Sequence, residues 1–538
     1  MRLKKIVAIA LACCMSLTLL SACGKTPVST STPAGTSASQ PQAPADAGLH
    51  NLKDGVLDIG TGINWDTLTP FRSQTGNNAP YAYQIYESLA KLTGDKEYAP
   101  WVAKSWSGED DGVTFNIEIF DYVTDSAGNK ITAADIVWMI EACMEAGLKP
   151  CFKKVASVEQ TGDYTLKVVM TQDMVGAFEQ VITSTFVVSK AAYEASKDQF
   201  ASEYVSTSPS VLTKFVSCSE ISLEKREGYW QKPELIDPYN AANVDKLTYH
   251  IILEASQAGI ALETGELDAF MILDANTAKQ FEGNSAFTMK ATSYINGCQL
   301  FFSGGDNRNI ATDKALRQAI CYAIDAEGLI TGVYAGYGKT MKDPIADTSV
   351  GWLEKWNSEE YYAYNVEKAK ELLAQSNYKG EELILLAGSG SSTQRLCQMI
   401  QAYLLQAGIN VKLNLVDQAL YTATRLDGTQ YDMTINTVGG DTLPDHWSIR
   451  YDPKAYKTGD GTARHDEVLG EMLYKTWTKE GFTEENIDAV HQYIKENMYA
   501  YGMVQPENID IWRTDIGMTQ DLHTNKGSVD FAASVYNQ

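Results

Sequence analysis

The feature that most limits the fold is the stretch from Leu383 to Val416, which reads LILLAGSGSSTQRLCQMIQAYLLQAGINVKLNLV. It begins with an apolar run typical of a buried strand and passes through a Gly/Ser turn. It continues with helical spacing of apolar residues and ends in alternation of period two. Strand, turn, helix and strand in this order form a β-α-β unit. We therefore expect an α/β fold.

Both kinds of signal recur along the chain. Thr132 is predicted to cap a helix that stops at Gly147. A second helical pattern covers residues 312–336, and its apolar stripe consists of Leu316, Ile320, Ala323 and Ile324. Alternation of period two predicts strands at residues 114–120, 164–170, 246–253, 410–416 and 431–438.

The chain starts with the features of a secretory leader. Arg2, Lys4 and Lys5 precede an apolar run from Ile6 to Leu20, which is typical of a signal-peptide core. A bilayer-spanning helix needs about 20 apolar residues, so a permanent transmembrane anchor is the weaker alternative. The segment from Thr26 to Gly48 has no aromatic residue and cannot bury enough surface to offset its ordering entropy. We expect it to be a disordered linker.

Composition limits the partners. With 44 basic and 68 acidic residues the net charge is −24 at pH 7, which argues against nucleic acid. About 490 residues beyond the linker exceed what one core usually serves, so at least two lobes are expected. The cysteines after Cys23 are scattered without C-x-x-C spacing, and we expect no metal site and no cofactor. Cys143 and Cys151 form either a disulfide in an oxidising exterior or two buried free thiols.

The motifs of secreted hydrolases are absent from the sequence, which contains neither H-E-x-x-H nor G-x-S-x-G. GYGKT, residues 336–340, has no glycine at position 333, where a phosphate loop needs one, and is interpreted as a flexible turn. GSGSSTQR, residues 388–395, exposes backbone N–H groups at a helix start and places Arg395 in the first turn. That geometry suits a carboxylate, and a plain connection with a surface arginine is the alternative.

The segment LLSAC, residues 19–23, resembles the lipobox of bacterial lipoproteins. In those proteins the cysteine after Leu-Ser-Ala receives lipid on its sulfur and becomes the mature N-terminus. The resemblance implies a signal peptide over residues 1–22, a lipid anchor such as palmitate at Cys23, and a linker over residues 23–48 that holds the body away from the membrane. Ordinary secretory cleavage beside an incidental cysteine is the alternative.

Five motifs later in the chain are DSAGNKITAADIVW, ISLEKREGYWQ, ALETGELDA, DKALRQAICYAIDAEGLI and NVEKAKELLAQSNY. With them, from Leu57 onward, the chain resembles the extracellular solute-binding proteins of bacterial ABC importers, in the peptide/nickel-binding class known as family 5. Two segments depart from the family pattern: TSPS at 207–210 replaces TGPY, and REGYW at 226–230 replaces RNPdYW. We expect a divergent ligand specificity there.

The resemblance implies a two-lobed periplasmic-binding-protein-like fold of type II, cluster C. Two α/β lobes are joined by crossing strands, and the first lobe carries an extra subdomain. The expected boundaries are 49–94, 200–285 and 508–538 for lobe I, 95–199 for the extra subdomain, and 286–507 for lobe II.

The resemblance also implies ligand-binding residues. YDMTINTVGGDTLPDHW places Asp441 at the acidic position that meets the ligand's α-ammonium in peptide binders. Arg395 lies on the helix that carries a ligand-facing arginine in dipeptide binders, and Gly76, Asn77 and Asn78 fall in a loop whose backbone pairs with peptide. An acid and a base together suit a zwitterion, because a buried ligand charge needs a partner. A surface turn acid is the alternative for Asp441.

The implied function is that of a monomeric, lipid-anchored substrate-binding protein at the outer face of the cell membrane, and not of an enzyme. It would capture a peptide-like solute between closing lobes and deliver it to an ABC permease powered by ATPase subunits. Within the family, an oligosaccharide or nickel-chelate binder is the alternative. A secreted hydrolase and a ligand sensor that signals without transport are the alternatives from other classes.

Overall fold

The computed structural model describes residues 52–71, 79–92, 97–236, 241–293, 297–438, 442–455, 466–518 and 529–534. The strands are β1 (Val56–Thr61), β2 (Ala90–Leu92), β3 (Tyr98–Pro100), β4 (Ala103–Gly108), β5 (Thr114–Ile119), β6 (Val155–Gln160), β7 (Thr165–Met170), β8 (Ser210–Val216), β9 (Glu220–Lys225), β10 (Lys246–Ile251), β11 (Ala269–Met271), β12 (Phe287–Ser293), β13 (Gly297–Phe302), β14 (Gly338–Thr340), β15 (Leu383–Gly388), β16 (Val411–Val416), β17 (Met433–Val438) and β18 (Ala500–Arg513).

The α-helices are α1 (Ala79–Ile85), α2 (Ala133–Ala146), α3 (Ala177–Ser184), α4 (Lys190–Ala195), α5 (Ala255–Glu263), α6 (Ala275–Ala278), α7 (Lys314–Ala323), α8 (Ala326–Tyr334), α9 (Val366–Gln375), α10 (Ser391–Gln406), α11 (Gln418–Arg425), α12 (Leu443–Arg450), α13 (Glu467–Trp477), α14 (Glu484–Asn497) and α15 (Phe531–Ser534). Among the residues described, none of these helices combines the length and the apolar character needed to cross a bilayer.

The main sheet has twelve strands, and β18 belongs to both of its halves. The amino-terminal part of β18 pairs with β13 and β14, and its carboxyl-terminal part pairs with β11 and β12. We call the half with β1 and β8–β12 the first lobe, together with the small sheet described below. The half with β13–β17 and its helices is the second lobe. β18 therefore crosses between the lobes, and the chain passes from one lobe to the other again between β12 and β13, because these two strands pair with different parts of β18. The predicted two-lobed α/β fold is confirmed.

The second lobe contains the predicted β-α-β unit. β15 and β16 pair in parallel from Leu383–Val411 to Gly388–Val416, and α10 connects them. Leu396, Cys397, Ile400 and Leu404 of α10 are buried against these strands. The five predicted strands are present as β5, β7, β10, β16 and β17.

A separate four-stranded antiparallel sheet with the order β4-β5-β7-β6 lies in the first third of the chain. α2 packs beside it and has the predicted ends. At its start, the backbone N–H of Thr132 donates to Asp135 Oδ2 at 2.9 Å. At its end, Gly147 adopts φ +58°, a left-handed conformation that glycine reaches without a Cβ penalty.

Two local predictions are wrong. Residues 312–336 form two helices, because the Asp325 side chain accepts from the Gly328 N–H at 2.9 Å and starts α8 anew. The predicted stripe is buried nonetheless, with Ile324 in the connection. The segment GYGKT is not a flexible turn, since Gly338–Thr340 is β14, and Lys339 forms an ion pair with Asp347 at 2.5 Å.

All six cysteines that the described residues contain are free thiols. Cys143 and Cys151 are both buried, and burial raises the pKa of Cys143 to about 12 and that of Cys151 to about 11. Of the two alternatives left by the sequence, the structure shows buried thiols.

A buried carboxylate, Glu87, joins three segments of the first lobe. It accepts hydrogen bonds from Trp101 Nε1 at 3.0 Å, from Trp230 Nε1 at 2.9 Å and from the Tyr229 hydroxyl. Burial raises the pKa of Glu87, and these donors partly offset the effect. Both carboxylate oxygens are occupied as acceptors, so the site has no place for a side-chain donor.

We predict that Glu87→Gln lowers the free energy of unfolding by about 2 to 4 kcal/mol, because its amide N–H₂ would face a buried indole N–H. Urea unfolding of the purified protein measures the loss. Glu118→Gln removes an acid whose ion pair with Lys104 is exposed, and should change stability by less than about 1 kcal/mol. Equal stability of Glu87→Gln and Glu118→Gln would contradict the role of Glu87 as the buried acceptor that joins these segments.

Candidate functional site

Most residues predicted from the sequence to form the site lie outside the described residues. These are Gly76, Asn77, Asn78 and Asp441, and the predicted lipidation site Cys23 lies outside them as well. Arg395 is the predicted site residue that the structure describes. Arg395 and the described residues that flank Asp441 therefore define the part of the site that the structure shows.

Arg395 lies on α10 but not in its first turn. Gly390 is the N-cap and the helix begins at Ser391, so a full turn precedes the arginine. The side chain is exposed, on the side of α10 away from the buried Leu396 and Ile400. An exposed guanidinium fits both alternatives given by the sequence, a surface arginine and a ligand contact.

Downstream of Asp441, the chain enters α12. Thr442 caps this helix by accepting the Asp445 N–H at 3.4 Å, and Pro444 occupies its first turn, where no N–H is needed. Every residue of α12 except Ile449 is buried, including Asp445 and Arg450. A surface helix keeps one face in water, so α12 must be covered on more than one side.

One side of α12 packs into the core of the second lobe. Leu443, Trp447 and the following Tyr451 join a buried cluster with Phe301 of β13 and Leu469 of α13. This side explains the apolar residues of the helix and fixes its position on the sheet.

The other side of α12 meets the first lobe. Asp445 Oδ1 lies 2.6 Å from Lys154 Nζ, and Gln180 Nε2 donates to Asp445 Oδ2 at 3.0 Å. Lys154 directly precedes β6, and Gln180 lies on α3, so both partners belong to the part of the chain around the four-stranded sheet. The helix is thus held between the two lobes.

Two further contacts cross the same interface. The Val175 N–H donates to the Trp477 carbonyl at 2.8 Å, and Trp477 packs against the first-lobe core. Gly176 has φ +79°, and a Cβ built on it would lie 2.3 Å from Thr442 Cγ2. The lobes therefore touch closely next to the N-cap of α12.

The surroundings of α12 are strongly basic. Burial and, to a lesser extent, the nearby Arg425 at the end of α11 together lower the pKa of Arg450 to about 10. The Arg450 guanidinium lies 5.7 Å from the centre of the Phe301 ring. Arg450 on α12 itself, together with Arg425 and Lys154 beside it, places three cationic side chains at this helix. Such a setting stabilises buried negative charge, whether on the protein or on a ligand.

Sequence reasoning missed Lys154, Asp445 and Arg450. The signal in LPDHWSIR is that polar residues occur all round a short helix, which is stable only with partners on several sides. The prediction of no metal and no cofactor stays untested, and the described residues contain no cluster of three or more His, Cys, Asp or Glu side chains suited to a metal.

Comparison with known proteins identifies the family. Residues 97–459, about two-thirds of the chain, match the family model of bacterial extracellular solute-binding proteins, family 5 Middle. The chain belongs to this family. It is a solute-binding protein of the kind that serves ABC importers, and not an enzyme, as the motifs predict.

Similar proteins include the glutathione-binding protein GsiB of Shigella boydii serotype 4, which is 24% identical over 377 residues, covering 68% of this chain and 70% of that relative. The oligopeptide-binding protein AppA from Bacillus subtilis, solved with a nonapeptide, has a TM-score of 0.72 at 18% identity. NikZ from Campylobacter jejuni, solved with Ni(L-His), has the same TM-score and identity. Each structural match covers 89% of this chain and 98% of the other. These structures confirm the two-lobed fold.

We predict that Gly176→Ala hinders close approach of the lobes, because the new methyl group would collide with Thr442 across the interface. The matched control is Gly128→Ala, whose φ is +85° and whose Cβ would meet nothing within 4 Å. Both variants carry a similar backbone penalty of about 1 to 2 kcal/mol, but only Gly176→Ala should enlarge the radius of gyration measured by small-angle scattering. Identical radii for the two variants would argue against this contact.

Proposed function

We propose that this solute-binding protein captures a short peptide or another peptide-like zwitterion and delivers it to an ABC permease with its ATPase subunits. The observation that carries the proposal is a buried helix with polar residues, α12, which is held between the lobes and begins two residues after the acidic position of the family motif. Peptide ligands are consistent with GsiB, which is named for glutathione, and with AppA, which was solved with a nonapeptide.

We propose lobe boundaries of 49–94, 200–285 and 508–538 for lobe I, 95–199 for its extra subdomain, and 286–507 for lobe II. Closure would occur by bending of the two connections that cross between the lobes, one of which is β18. The pairing of β18 with β11 at one end and with β13 at the other supports a boundary within β18. β12 pairs with the carboxyl-terminal part of β18 as well, so the first-lobe sheet extends past the proposed boundary at 285. Few crossing strands let each lobe stay rigid while the cleft opens and closes.

Within the cleft, we propose a clamp for both ends of a zwitterion. Asp441 would meet the α-ammonium group, Arg395 the carboxylate, and the backbone of Gly76, Asn77 and Asn78 the peptide groups. Because Arg395 is exposed, its guanidinium has no desolvation cost before the ligand binds. Asp441 would lie just before α12 in the chain. Both charges would be desolvated with the ligand and therefore need it as a partner.

A first screen should identify the ligand. Native mass spectrometry of the protein as purified detects a retained solute, since binders that close over a ligand often keep it. Titration calorimetry with di- and tripeptides, glutathione, nickel–histidine and oligosaccharides then ranks the classes. Tight binding of an uncharged sugar or of nickel–histidine alone would reject the peptide proposal, and uptake of the labelled ligand by cells would distinguish an importer from a sensor.

We predict that Asp441→Ala weakens free-amine peptides far more than N-acetylated ones, and that Arg395→Ala weakens free acids more than C-terminal amides. Each substitution leaves one charged group of the ligand without its partner in the closed cleft. The expected loss of binding free energy is about 2 to 5 kcal/mol, or roughly thirtyfold to several thousandfold in affinity.

The controls for this clamp are Glu367→Ala and Lys370→Ala, which remove members of an exposed ion pair on α9 and should change affinity by less than about threefold. Calorimetry with capped and uncapped forms of one peptide makes the comparison. Equal losses for the two forms would reject the clamp.

We also propose that the protein is a monomer tethered to the outer face of the cell membrane through lipid on Cys23. The prediction is that cells fed a clickable fatty acid label the wild-type protein, and that Cys23→Ser abolishes the label while Cys218→Ser, at an exposed thiol, keeps it. Label that persists in Cys23→Ser would refute the anchor.

A further inference from the structure

We propose that Lys154 and Asp445 form an interlobe latch, a buried ion pair that positions α12 and sets how long the cleft stays closed. This inference rests on the proposed function in one respect, that the cleft between the lobes is where the solute binds. The latch consists of Lys154, Asp445 and the supporting side chain of Gln180.

The two charged groups are fixed to different lobes. Lys154 precedes β6 directly, and its carbonyl accepts the Thr171 N–H at 2.7 Å, which ties it to the end of the four-stranded sheet. Asp445 lies on α12, whose apolar side is embedded in the second-lobe core. Movement of one lobe relative to the other therefore changes the distance between Lys154 Nζ and Asp445 Oδ1.

The pair is deeply buried in the described arrangement. The Lys154 and Asp445 side chains are 15% and 9% exposed, and their charged atoms lie 2.6 Å apart. The second oxygen of Asp445 accepts from Gln180 at 3.0 Å. Burial alone would raise the pKa of Asp445, but the attraction of Lys154 and these hydrogen bonds hold it below its usual range. The carboxylate is thus stabilised by its two partners from the first lobe.

A buried pair of this kind acts on closure rather than on the fold of either lobe. When the lobes separate, both groups reach water, where an ion pair is worth little. When the lobes close, either group without its partner would be a stranded charge. Closure of the lobes is therefore favourable only when each of the two charged groups has its partner.

The latch is coupled to ligand capture through α12. Asp441 precedes the helix cap Thr442 by one residue and the latch residue Asp445 by four. When the ion pair holds α12 against Lys154, it also fixes the start of the helix. The predicted ligand contact, Asp441, lies just before that start in the chain. We expect a loosened latch to speed ligand release more than it slows capture, because capture starts from the open cleft.

The test compares Lys154→Met, Asp445→Asn and the double variant with the wild-type protein. The matched control is Lys104→Met on β4 of the four-stranded sheet, whose ion pair with Glu118 is exposed. Hydrogen exchange without added ligand follows the Val175 amide, which donates across the interface. We expect each single variant to exchange this amide at least about tenfold faster, and the double variant to recover to within about threefold of wild type, because it strands no charge.

A second measurement separates the latch from the proposed ligand. Stopped-flow binding of glutathione and of trialanine should show faster dissociation in the single variants. If neither peptide binds but the exchange pattern holds, the peptide proposal fails and the latch stands. If a peptide binds and all variants match wild type in exchange and dissociation, the latch is overturned and the function stands.

Exchange in β5, β7, β15 and β16 serves as the control for folding. Faster exchange throughout these strands would show a general loss of structure and overturn the latch. Gln180→Leu removes only the supporting hydrogen bond and leaves the ion pair intact, so it provides a milder variant should the single charge changes misfold. We expect it to speed Val175 exchange by about two- to fivefold, and an unchanged rate with Gln180→Leu would likewise count against the latch.

Discussion

The structure depends on one shared strand, β18. Tyr501, Met503 and Val504 are buried in the core of the second lobe, whereas Ile509 and Ile511 are buried in a separate core of the first lobe. Between them, residues 506–508 are only half-buried. Because β18 is anchored at both ends, it links the positions of the two lobes. Its less buried centre can bend at a low cost in free energy.

Among the described residues, the contacts between α12 and the first lobe are mostly polar, in contrast to the apolar cores within each lobe. The interface contacts include the Lys154–Asp445 ion pair, the hydrogen bond from Gln180, the backbone hydrogen bond from Val175 to Trp477 and the hydrogen bond from the Thr442 hydroxyl to the Val175 carbonyl, together with the packing of Trp477 against the first-lobe core. A large apolar interface would hold the lobes shut whether or not a ligand is present. Polar groups that water can satisfy in the open state keep the free-energy difference between open and closed forms small. A binding protein that must release its solute requires such a balance.

The sequence predicts what depends on neighbouring residues and misses what depends on distant ones. The β-α-β unit, the Thr132 cap and the stop at Gly147 follow from local patterns, and the structure has all three. The restart of α8 at Asp325 was missed because a continuous apolar stripe outweighed a single capping residue. Lys154 and Asp445 are 291 positions apart, and nothing in the spacing of either residue indicates a partner. The predicted ligand residues came only from resemblance to the family, and apart from Arg395 they lie outside the described part of the chain.

The two segments that depart from the family pattern contact each other through residues that agree with it. The Arg226 guanidinium donates to the Thr207 carbonyl at 3.2 Å and to the Asp125 carbonyl at 2.6 Å, so REGYW and TSPS contact each other and hold the loop after β5. Trp230 of the same motif donates to Glu87. Because the acceptors on Thr207 and Asp125 are backbone carbonyls, these bonds do not depend on the side chains that differ from the family pattern, at Ser208, Ser210, Glu227 and Gly228. The contact between the two segments therefore holds the loop after β5 against the first lobe whichever residues occupy the departing positions.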